Sequence, residues 1–342
     1  MIQFDTLDFD LPSERIAQEP LKERDAARLM VFHRQTNQIS HCLFKDIETF
    51  LEPTDDLVIN KAKVNRAKFV GRKKTGGRVE VIVVSPTSDP SLWRALVRPL
   101  LPIGTAFTLG AGLNVVLVER TAIGENIIRC DGGDPAILMN SEGKIPLPPY
   151  IKRSAVDPRD VTDAEDYQTV YASEPGSLAA PTAGLHFTPA LLDKIRQKGV
   201  RVHEILLHVG WGTFRPIAKR LDDHEMLPER YEVSRETYDA LQAARRRHRR
   251  IISVGTTSTR VLESLSINES EVQLKGETNL FIKPGRSFQW LSGLVTNFHV
   301  PRSTPLALTA AFAGPDNLSR CYEEAIRSNY RFFSYGDAML IL

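Results

Sequence analysis

Residues 181–216 read PTAGLHFTPALLDKIRQKGVRVHEILLHVGWGTFRP and contain a predicted helix followed by a predicted strand. The helix begins with Thr188 as its N-cap and Pro189 at its first position, and Gly199 ends it. The next segment, VRVHEILLHV, alternates and then becomes continuously apolar, which is typical of a buried strand. The stretch therefore predicts one helix packed beside one strand of a mixed α/β fold.

Two loops flank this helix and strand, PTAGLHF at 181–187 and HVGWGTFRP at 208–216. Both are rich in polar groups and glycines that a hydrophobic core does not need, so they mark a candidate site. The second loop would follow the carboxyl end of the strand, where ligands often bind in mixed α/β folds.

The composition is that of an ordinary globular protein, with 342 residues, 42% hydrophobic and 25% charged, and a net charge of +2. This length allows two domains. No apolar run approaches the roughly 20 residues that span a bilayer, and the acidic N-terminus is unlike a signal peptide, so we expect a cytoplasmic protein.

Several classes of site are disfavoured. Cys42, Cys130 and Cys321 form no CxxC pair, which argues against disulfides and structural zinc. In DHEMLPER, Pro228 stands where HExxH needs its second histidine, so we expect no metal site. The sequence also lacks a Walker A loop, a Rossmann glycine fingerprint and a GxSxG elbow.

The chain divides into two parts by pattern. Short β-rich runs alternate with Gly and Pro turns after residue 67, as in small barrels, and the proline-rich IPLPPYIKR returns the chain to a more helical half. We expect an α/β (α+β) main domain at 1–66 and 147–342 with an inserted antiparallel β-barrel domain at 67–146.

Two further segments could carry chemistry. In RRIISVGTTSTRVLESL, a strand leads through 255–258 into a helix whose N-terminus could hold an anion, with Arg260 as a bidentate grip. Equally, Thr256, Thr257 and Ser258 could be N-caps. GLVTNFHVPRSTP clusters polar groups at a strand end, where His299 could act as a base or grip, although a lone histidine is more often structural.

Two cationic runs could meet a polyanion, RRRHRR at 245–250 and KFVGRKKTGGR at 68–78. The alternative is a solvated helix end and a charged hairpin tip, because charge runs are commonly just surface.

Nine blocks together resemble the S-adenosylmethionine:tRNA ribosyltransferase-isomerase family of queuosine biosynthesis, in that family's order and spacing. They are RIAQEPLKERDAARLMV, LPPYIKR, YQTVYASEPGSLAAPTAGLHFT, HVGWGTFRP, VGTTSTRVLES, TNLFIKPG, TNFHVPRST, AFAG and NYRFFSYGDAMLIL. The resemblance implies transfer and isomerisation of the ribosyl group of S-adenosylmethionine onto 7-aminomethyl-7-deazaguanine at the tRNA wobble position. Epoxyqueuosine would form, and adenine and methionine would leave. S-adenosylmethionine would be a co-substrate, with no prosthetic group, and we expect a monomer.

In that reaction the sulfonium acidifies the ribose C5′ proton, a base generates an ylide, and the substrate amine attacks C1′. The resemblance nominates three catalytic candidates, His186 or His208 as base or proton shuttle and Asp337 as a carboxylate whose alternative is a turn residue. The substrate-binding candidates are Thr182, Gly184, Thr213, Arg215, Thr256, Thr257, Arg260, Asn297, His299, Arg302 and Ser303.

The chain departs from the family pattern at two polar motifs. Where the family resembles Asn-Asp-Thr-Arg-Val-Ile-Pro-Ala-Arg, this chain has Lys61 for the acid, Ala62 for the hydroxyl and Arg66 for the proline; Leu227 replaces a second histidine. The departures leave three hypotheses open: the family reaction, which we favour, a paralogue with another acceptor, or a non-catalytic tRNA-binding protein.

Overall fold

The computed structural model describes residues 8–110, 112–154, 157–214, 217 and 221–342. Strands and helices of the first part, in chain order, are β1 (Arg28–His33), β2 (Gln38–Leu43), β3 (Asp56–Asn60), β4 (Ala62–Val64), β5 (Lys68–Lys73), β6 (Arg78–Pro86), β7 (Leu92–Arg98), β8 (Ala106–Leu109), β9 (Leu113–Arg120), β10 (Asn126–Asp131), α1 (Pro135–Ser141) and α2 (Asp163–Asp166).

The second part of the chain is richer in helix. Its elements are β11 (Glu174–Ser177), α3 (Pro189–Gln197), β12 (Arg201–Leu207), β13 (Glu229–Glu232), α4 (Arg235–Arg246), β14 (Ile251–Val254), α5 (Gly255–Ser264), β15 (Lys275–Thr278), β16 (Gly293–Asn297), α6 (Thr304–Ala313), α7 (Pro315–Arg327) and β17 (Ala338–Ile341).

The helix and strand predicted from residues 188–209 are α3 and β12. Thr188 caps α3 by accepting a hydrogen bond from the main-chain nitrogen of Leu191 at 3.1 Å. Gly199 ends the helix region with φ of 100°, a left-handed conformation that favours glycine. Local sequence chemistry therefore determines both ends of this helix.

A nine-stranded mixed sheet forms the larger unit, in the order β15-β13-β12-β3-β14-β16-β17-β1-β2. Strands β12, β3, β14 and β16 are parallel to one another, so their carboxyl ends lie at one edge of the sheet. The loops that follow these strands therefore meet there, and β17 begins beside the end of β16 because these two strands are antiparallel.

Alternation along the strands divides the core between the two sheet faces. In β1, Met30 and Phe32 join a cluster that contains the buried side chains of α4, α5, α6 and α7. Leu29 and Val31 face the other way, into a cluster with Leu191 of α3 and the short 3₁₀ helix Phe44–Phe50. Helices therefore cover both faces of the sheet, as the mixed α/β prediction requires.

The other unit contains a closed barrel of six strands, in the order β10-β7-β6-β5-β8-β9, and each neighbouring pair is antiparallel. Its interior is filled by alternate residues such as Val79, Val81 and Leu117, which are fully buried. The prediction of an α/β fold with an antiparallel barrel is confirmed.

The chain clusters into two compact units, Met1–Lys63 with Pro148–Lys152 and Asp166–Leu342, and Val64–Leu147 with Arg153–Glu165. Residues 153–165, which the sequence analysis assigns to the main domain, lie in the barrel unit. Within that segment Arg153 and Asp163 form a buried two-bond ion pair, with both distances at 2.8 Å.

In the part of the chain that the structure describes, no helix is long and apolar enough to cross a membrane.

Candidate active site

A cavity of about 180 Å³ opens at the carboxyl ends of the parallel strands. The sequence blocks singled out above meet in its wall, because Thr182, Thr213, Thr256, Asn297 and His299 all line it. They come from four separate segments. Three of these follow β12, β14 and β16, whose parallel arrangement places them at one edge of the sheet, and the fourth, which contains Thr182, follows β11 of a separate two-stranded sheet.

The described residues that line the cavity include no Asp, Glu, Lys or Arg. Polar groups in this lining are hydroxyls, one amide and one imidazole. Its further polar members are Tyr150, Tyr167, Thr257, Thr296, Ser303 and Ser334. The described wall is thus uncharged and rich in hydrogen-bonding groups, which suits an uncharged ligand surface with several hydroxyls and ring nitrogens.

Asn297 connects the cavity to a buried histidine behind it. Its Oδ1 accepts a hydrogen bond from Thr182 Oγ1 at 2.9 Å, and its Nδ2 donates to His186 Nε2 at 3.1 Å. His186 also bonds the main chain of Arg24, and burial lowers its pKa to about 4. His186 is therefore neutral at pH 7, and it is not among the residues that line the cavity.

His299 is the imidazole that lines the cavity. Its Nε2 lies 2.6 Å from Thr296 Oγ1, and its main-chain nitrogen donates to the Tyr322 hydroxyl at 2.7 Å. Burial lowers the pKa of His299 to about 3, so the ring is unprotonated at neutral pH.

Two phenols form another part of the wall, which the sequence analysis did not single out. Tyr150 shares a hydrogen bond with Ser334 Oγ at 2.7 Å, and Tyr167 lies 3.4 Å from the same oxygen. Burial raises the pKa of Tyr150 to about 12, so its hydroxyl stays protonated. The three residues lie within the quoted blocks LPPYIKR, YQTVYASEPG and NYRFFSYGDA, but a single tyrosine or serine gives no signal of its own in such a block.

Helix α5 begins at Gly255 itself rather than after a turn, and Gly255, Thr256 and Thr257 line the cavity. No side chain caps this N-terminus, so the N-cap alternative for these threonines does not hold in the structure. Arg260, one turn further on, is 7% exposed and bonds main-chain oxygens of Thr278 and Leu280 at 3.1 and 3.0 Å. Because its guanidinium is bonded to these carbonyls, Arg260 is not free to bind an anion in the cavity.

The loop that contains Thr213 is held by a buried carboxylate. Glu229 Oε1 accepts hydrogen bonds from Gly210 N at 2.7 Å and from Thr213 Oγ1 at 2.9 Å, and its Oε2 pairs with Arg260. Glu229 directly follows the interrupted HExxH pattern at 224–228, and its buried partner Arg260 lies too far along the chain for the sequence to indicate the contact.

His208 and Asp337 lie outside the cavity lining. His208 follows β12 and packs against Gly176, and burial lowers its pKa while Glu174 and Glu232 oppose that shift. The Asp337 carboxylate accepts main-chain hydrogen bonds from Arg28 at 2.9 Å and Arg331 at 2.7 Å, which is the turn role expected as its alternative.

The remaining candidates fall in different places. Gly184 leaves room for the buried Tyr171 hydroxyl, since a Cβ there would lie 2.0 Å from that oxygen. Ser303 lines the cavity and also caps α6. Arg302 is paired with Asp8 at the surface, and Arg215 lies outside the described residues.

The departures from the family pattern all lie outside the cavity lining. Lys61 is 3.6 Å from Glu174 and lines a separate surface cavity with it. Ala62 is fully buried, and Arg66 donates to the Gly143 carbonyl at 2.6 Å within the barrel unit. Leu227 packs against Gly212, and a Cβ added at Gly212 would lie 3.1 Å from the Leu227 side chain.

The arginine run 245–250 is largely bonded to its own unit. Arg250 forms two hydrogen bonds with the buried Asp55, at 2.8 and 2.6 Å, while Arg249 bonds the Thr54 carbonyl at 2.8 Å. Arg245 donates to the Gln289 carbonyl at 3.1 Å, and Arg246 pairs with Glu269. This run is therefore mainly a structural ion-pair cluster.

Across the described part of the chain, no group of three or more His, Cys, Asp or Glu side chains could hold a metal ion.

Comparison with known proteins gives one consistent result over the whole chain. The sequence profile of a family described as queuosine biosynthesis protein matches residues 4–341. The chain is 46% identical over 338 residues to the S-adenosylmethionine:tRNA ribosyltransferase-isomerase of Thermotoga petrophila, and 45% identical over 339 residues to the protein of that name from Carboxydothermus hydrogenoformans, with 98% of both chains covered in each case. The crystal structure of S-adenosylmethionine tRNA ribosyltransferase from Thermotoga maritima matches with a TM-score of 0.56 and 37% identity, over 98% of this chain and 100% of that one.

Proposed function

Because this chain belongs to the queuosine biosynthesis protein family, we propose that it transfers and isomerises the ribosyl group of S-adenosylmethionine onto 7-aminomethyl-7-deazaguanine in tRNA. The products are epoxyqueuosine in the tRNA, free adenine and methionine. The observation that carries this proposal is the similarity over the full length of the chain, with the motif blocks gathered in one cavity.

The cavity suits the adenosyl part of S-adenosylmethionine. Thr182, Thr213, Thr256, Thr257 and Asn297 offer hydroxyl and amide groups to the ribose and the adenine ring. A carboxylate in the wall would stabilise the sulfonium cation before the reaction, and the described lining has none. A group that stabilised the ground-state cation more than the transition state would slow the reaction, so a described lining without carboxylates suits the ylide step.

We assign the acceptance of the C5′ proton to His299. It is the one imidazole among the described lining residues, and it is unprotonated at neutral pH. In the tautomer that donates from Nε2 to Thr296 Oγ1, Nδ1 is the basic nitrogen, and we assign the proton to it. The negative charge that develops on C5′ stabilises the imidazolium as it forms, so the pKa of the His299 ring rises during the proton transfer.

The other nominated residues support the cavity. His186 orients Asn297 from behind, Asp337 fixes the loop that carries Ser334, and His208 packs the chain beside β11. Ser303 holds the start of α6 at the cavity edge. Gly184 provides space for Tyr171, and Arg302 fixes the turn before α6.

We propose further that the larger unit, 1–63 with 148–152 and 166–342, supplies this catalytic domain and that the barrel unit, 64–147 with 153–165, belongs to the tRNA-binding part of the enzyme. The enzyme acts as a monomer in the cytoplasm, with S-adenosylmethionine as a co-substrate and without a prosthetic group.

The test is nucleoside mass spectrometry after incubation of the protein with S-adenosylmethionine and tRNA that carries 7-aminomethyl-7-deazaguanine. We expect epoxyqueuosine from the wild-type protein and none from His299→Ala. A second readout follows exchange of the C5′ hydrogen of S-adenosylmethionine with deuterated water. Exchange that persists in His299→Ala would remove His299 from the proton step, whereas a folded wild-type protein without product would overturn the proposed reaction.

A further inference from the structure

We propose that Glu229 is a positioning residue that sets the hydrogen-bonding polarity of Thr213 in the cavity wall. The inference rests on the proposed function, because it assigns this pair a part in recognising the adenosyl group of S-adenosylmethionine. Glu229 itself does not line the cavity, so it acts through Thr213.

The geometry around Glu229 leaves it a single arrangement. The side chain is 4% exposed and lies on β13, directly beneath the loop that follows β12. One carboxylate oxygen accepts from both Gly210 N and Thr213 Oγ1, at 2.7 and 2.9 Å. The loop is therefore tied to β13 by a main-chain bond and a side-chain bond to the same atom.

Arg260 holds the carboxylate in place from the other side. It pairs with Oε2, and its remaining guanidinium groups donate to the carbonyls of Leu280 and Thr278. All of these partners are buried or half-buried. With Gly210 N and the Arg260 guanidinium donating to its two oxygens, the Glu229 carboxylate serves only as an acceptor in this cluster.

This arrangement has a consequence for the ligand. A carboxylate accepts and cannot donate, so the Thr213 hydroxyl must direct its hydrogen toward Glu229. The lone pairs of Thr213 Oγ1 are then what the cavity presents. Thr213 thus selects a donor on the ligand, such as a ribose hydroxyl or the adenine amino group, and disfavours a bare acceptor at that point.

The experiment compares Glu229→Gln, Thr213→Val and the double variant, using steady-state turnover and calorimetric binding of S-adenosylmethionine. We expect each single variant to weaken binding and raise KM about tenfold, the value of one ligand hydrogen bond. Because Glu229 acts through Thr213, the double variant should bind no worse than Thr213→Val. Thr213→Ser retains the hydroxyl, so it should recover most of the binding that Thr213→Val loses.

Two variants separate positioning from folding. Glu229→Asp keeps the charge beside Arg260 but withdraws the carboxylate from Thr213 by one methylene, so we expect the same direction of change in a folded protein. The control is Glu277→Gln on β15. It removes the exposed ion pair with Arg230, the residue that follows Glu229 on β13, and it should leave binding unchanged.

Additive losses in the double variant, or a lower unfolding temperature with unchanged KM in both Glu229→Gln and Glu229→Asp, would overturn the inference. Wild-type protein that binds S-adenosylmethionine without turnover would sink the proposed reaction, and the calorimetric comparison would still decide on Glu229. Wild-type protein that binds no S-adenosylmethionine would overturn both.

Discussion

Asn297 donates a hydrogen bond from Nδ2 to Nε2 of His186 across 3.1 Å, and this bond fixes which end of its amide faces the cavity. The opposite end, Oδ1, accepts from Thr182 at 2.9 Å. Because burial keeps His186 neutral, its Nε2 can accept the hydrogen bond from the Asn297 amide. The amide of Asn297 is therefore the group that lines the cavity, and the His186 imidazole sets its orientation.

Replacing His186 should affect catalysis through Asn297. We expect His186→Leu to lower kcat/KM by about 10- to 100-fold, because the Asn297 amide loses its acceptor and its side chain can then flip. In His186→Gln a side-chain oxygen can accept the same bond, so most of the activity should return. Steady-state kinetics on both folded variants checks this, and an equal loss in the two would show that the ring has a chemical role of its own.

Stability should fall in acid because two histidines are buried in the neutral form. The folded-state pKa values of His186 and His299 are lowered to about 4 and about 3, against about 6.5 in an unfolded chain. Between pH 6.5 and those values the unfolded state binds more protons, so the free energy of unfolding decreases as the pH falls. At pH 5 the loss is on the order of 2 kcal/mol per histidine. Urea unfolding at pH 7.5, 6 and 5 measures it.

The matched control for this acid effect is His248, which is exposed at the end of α4. His248→Asn should retain the full pH dependence of stability, whereas His299→Asn should reduce it. An unchanged slope in His299→Asn would mean that this imidazole is not buried in its neutral form.

The N-cap of α3 offers a test of local stability away from the reaction. Thr188→Ala removes the acceptor for the Leu191 main-chain nitrogen, and we expect a loss of about 1 kcal/mol in the free energy of unfolding. Thr188→Ser should restore most of it. Chemical denaturation gives the value, and a loss below the error of the measurement would contradict a capping role.

Local chemistry explains what the sequence predicted well. Thr188, Pro189 and Gly199 determine α3 within one short segment, and the alternating barrel strands and the apolar β12 carry their own pattern. The family resemblance drawn from the nine blocks is likewise confirmed by the whole-chain match. Loops that follow neighbouring parallel strands lie at one edge of a sheet, so the gathering of Thr213, Thr256 and Asn297 could be expected from the order of elements. Thr182 follows β11, which lies outside that sheet, so its place in the cavity could not.

Side-chain roles depended on partners that are distant in sequence. His186 and Asp337 look like catalytic groups in their motifs, but the structure buries both behind the cavity lining and satisfies them with bonds to distant segments. Arg260 pairs with Glu229, 31 positions earlier, and no periodicity indicates that contact. Tyr150 and Ser334 come together across 184 positions for the same reason.

The arginine run 245–250 provides a further test, because it resembles a polyanion site in sequence and an ion-pair cluster in structure. Arg250→Ala leaves the carboxylate of Asp55, which is fully buried, without its two hydrogen bonds from that guanidinium. Breaking a buried pair from one side costs about 3–5 kcal/mol, so we expect a stability loss of that size in urea unfolding. The affinity of the folded variant for tRNA should stay within about twofold of wild type, as should that of the neighbouring Arg247→Ala, which should also unfold like wild type. A large drop in tRNA affinity at low salt, with unchanged stability in Arg250→Ala, would instead return the run to the nucleic-acid interface.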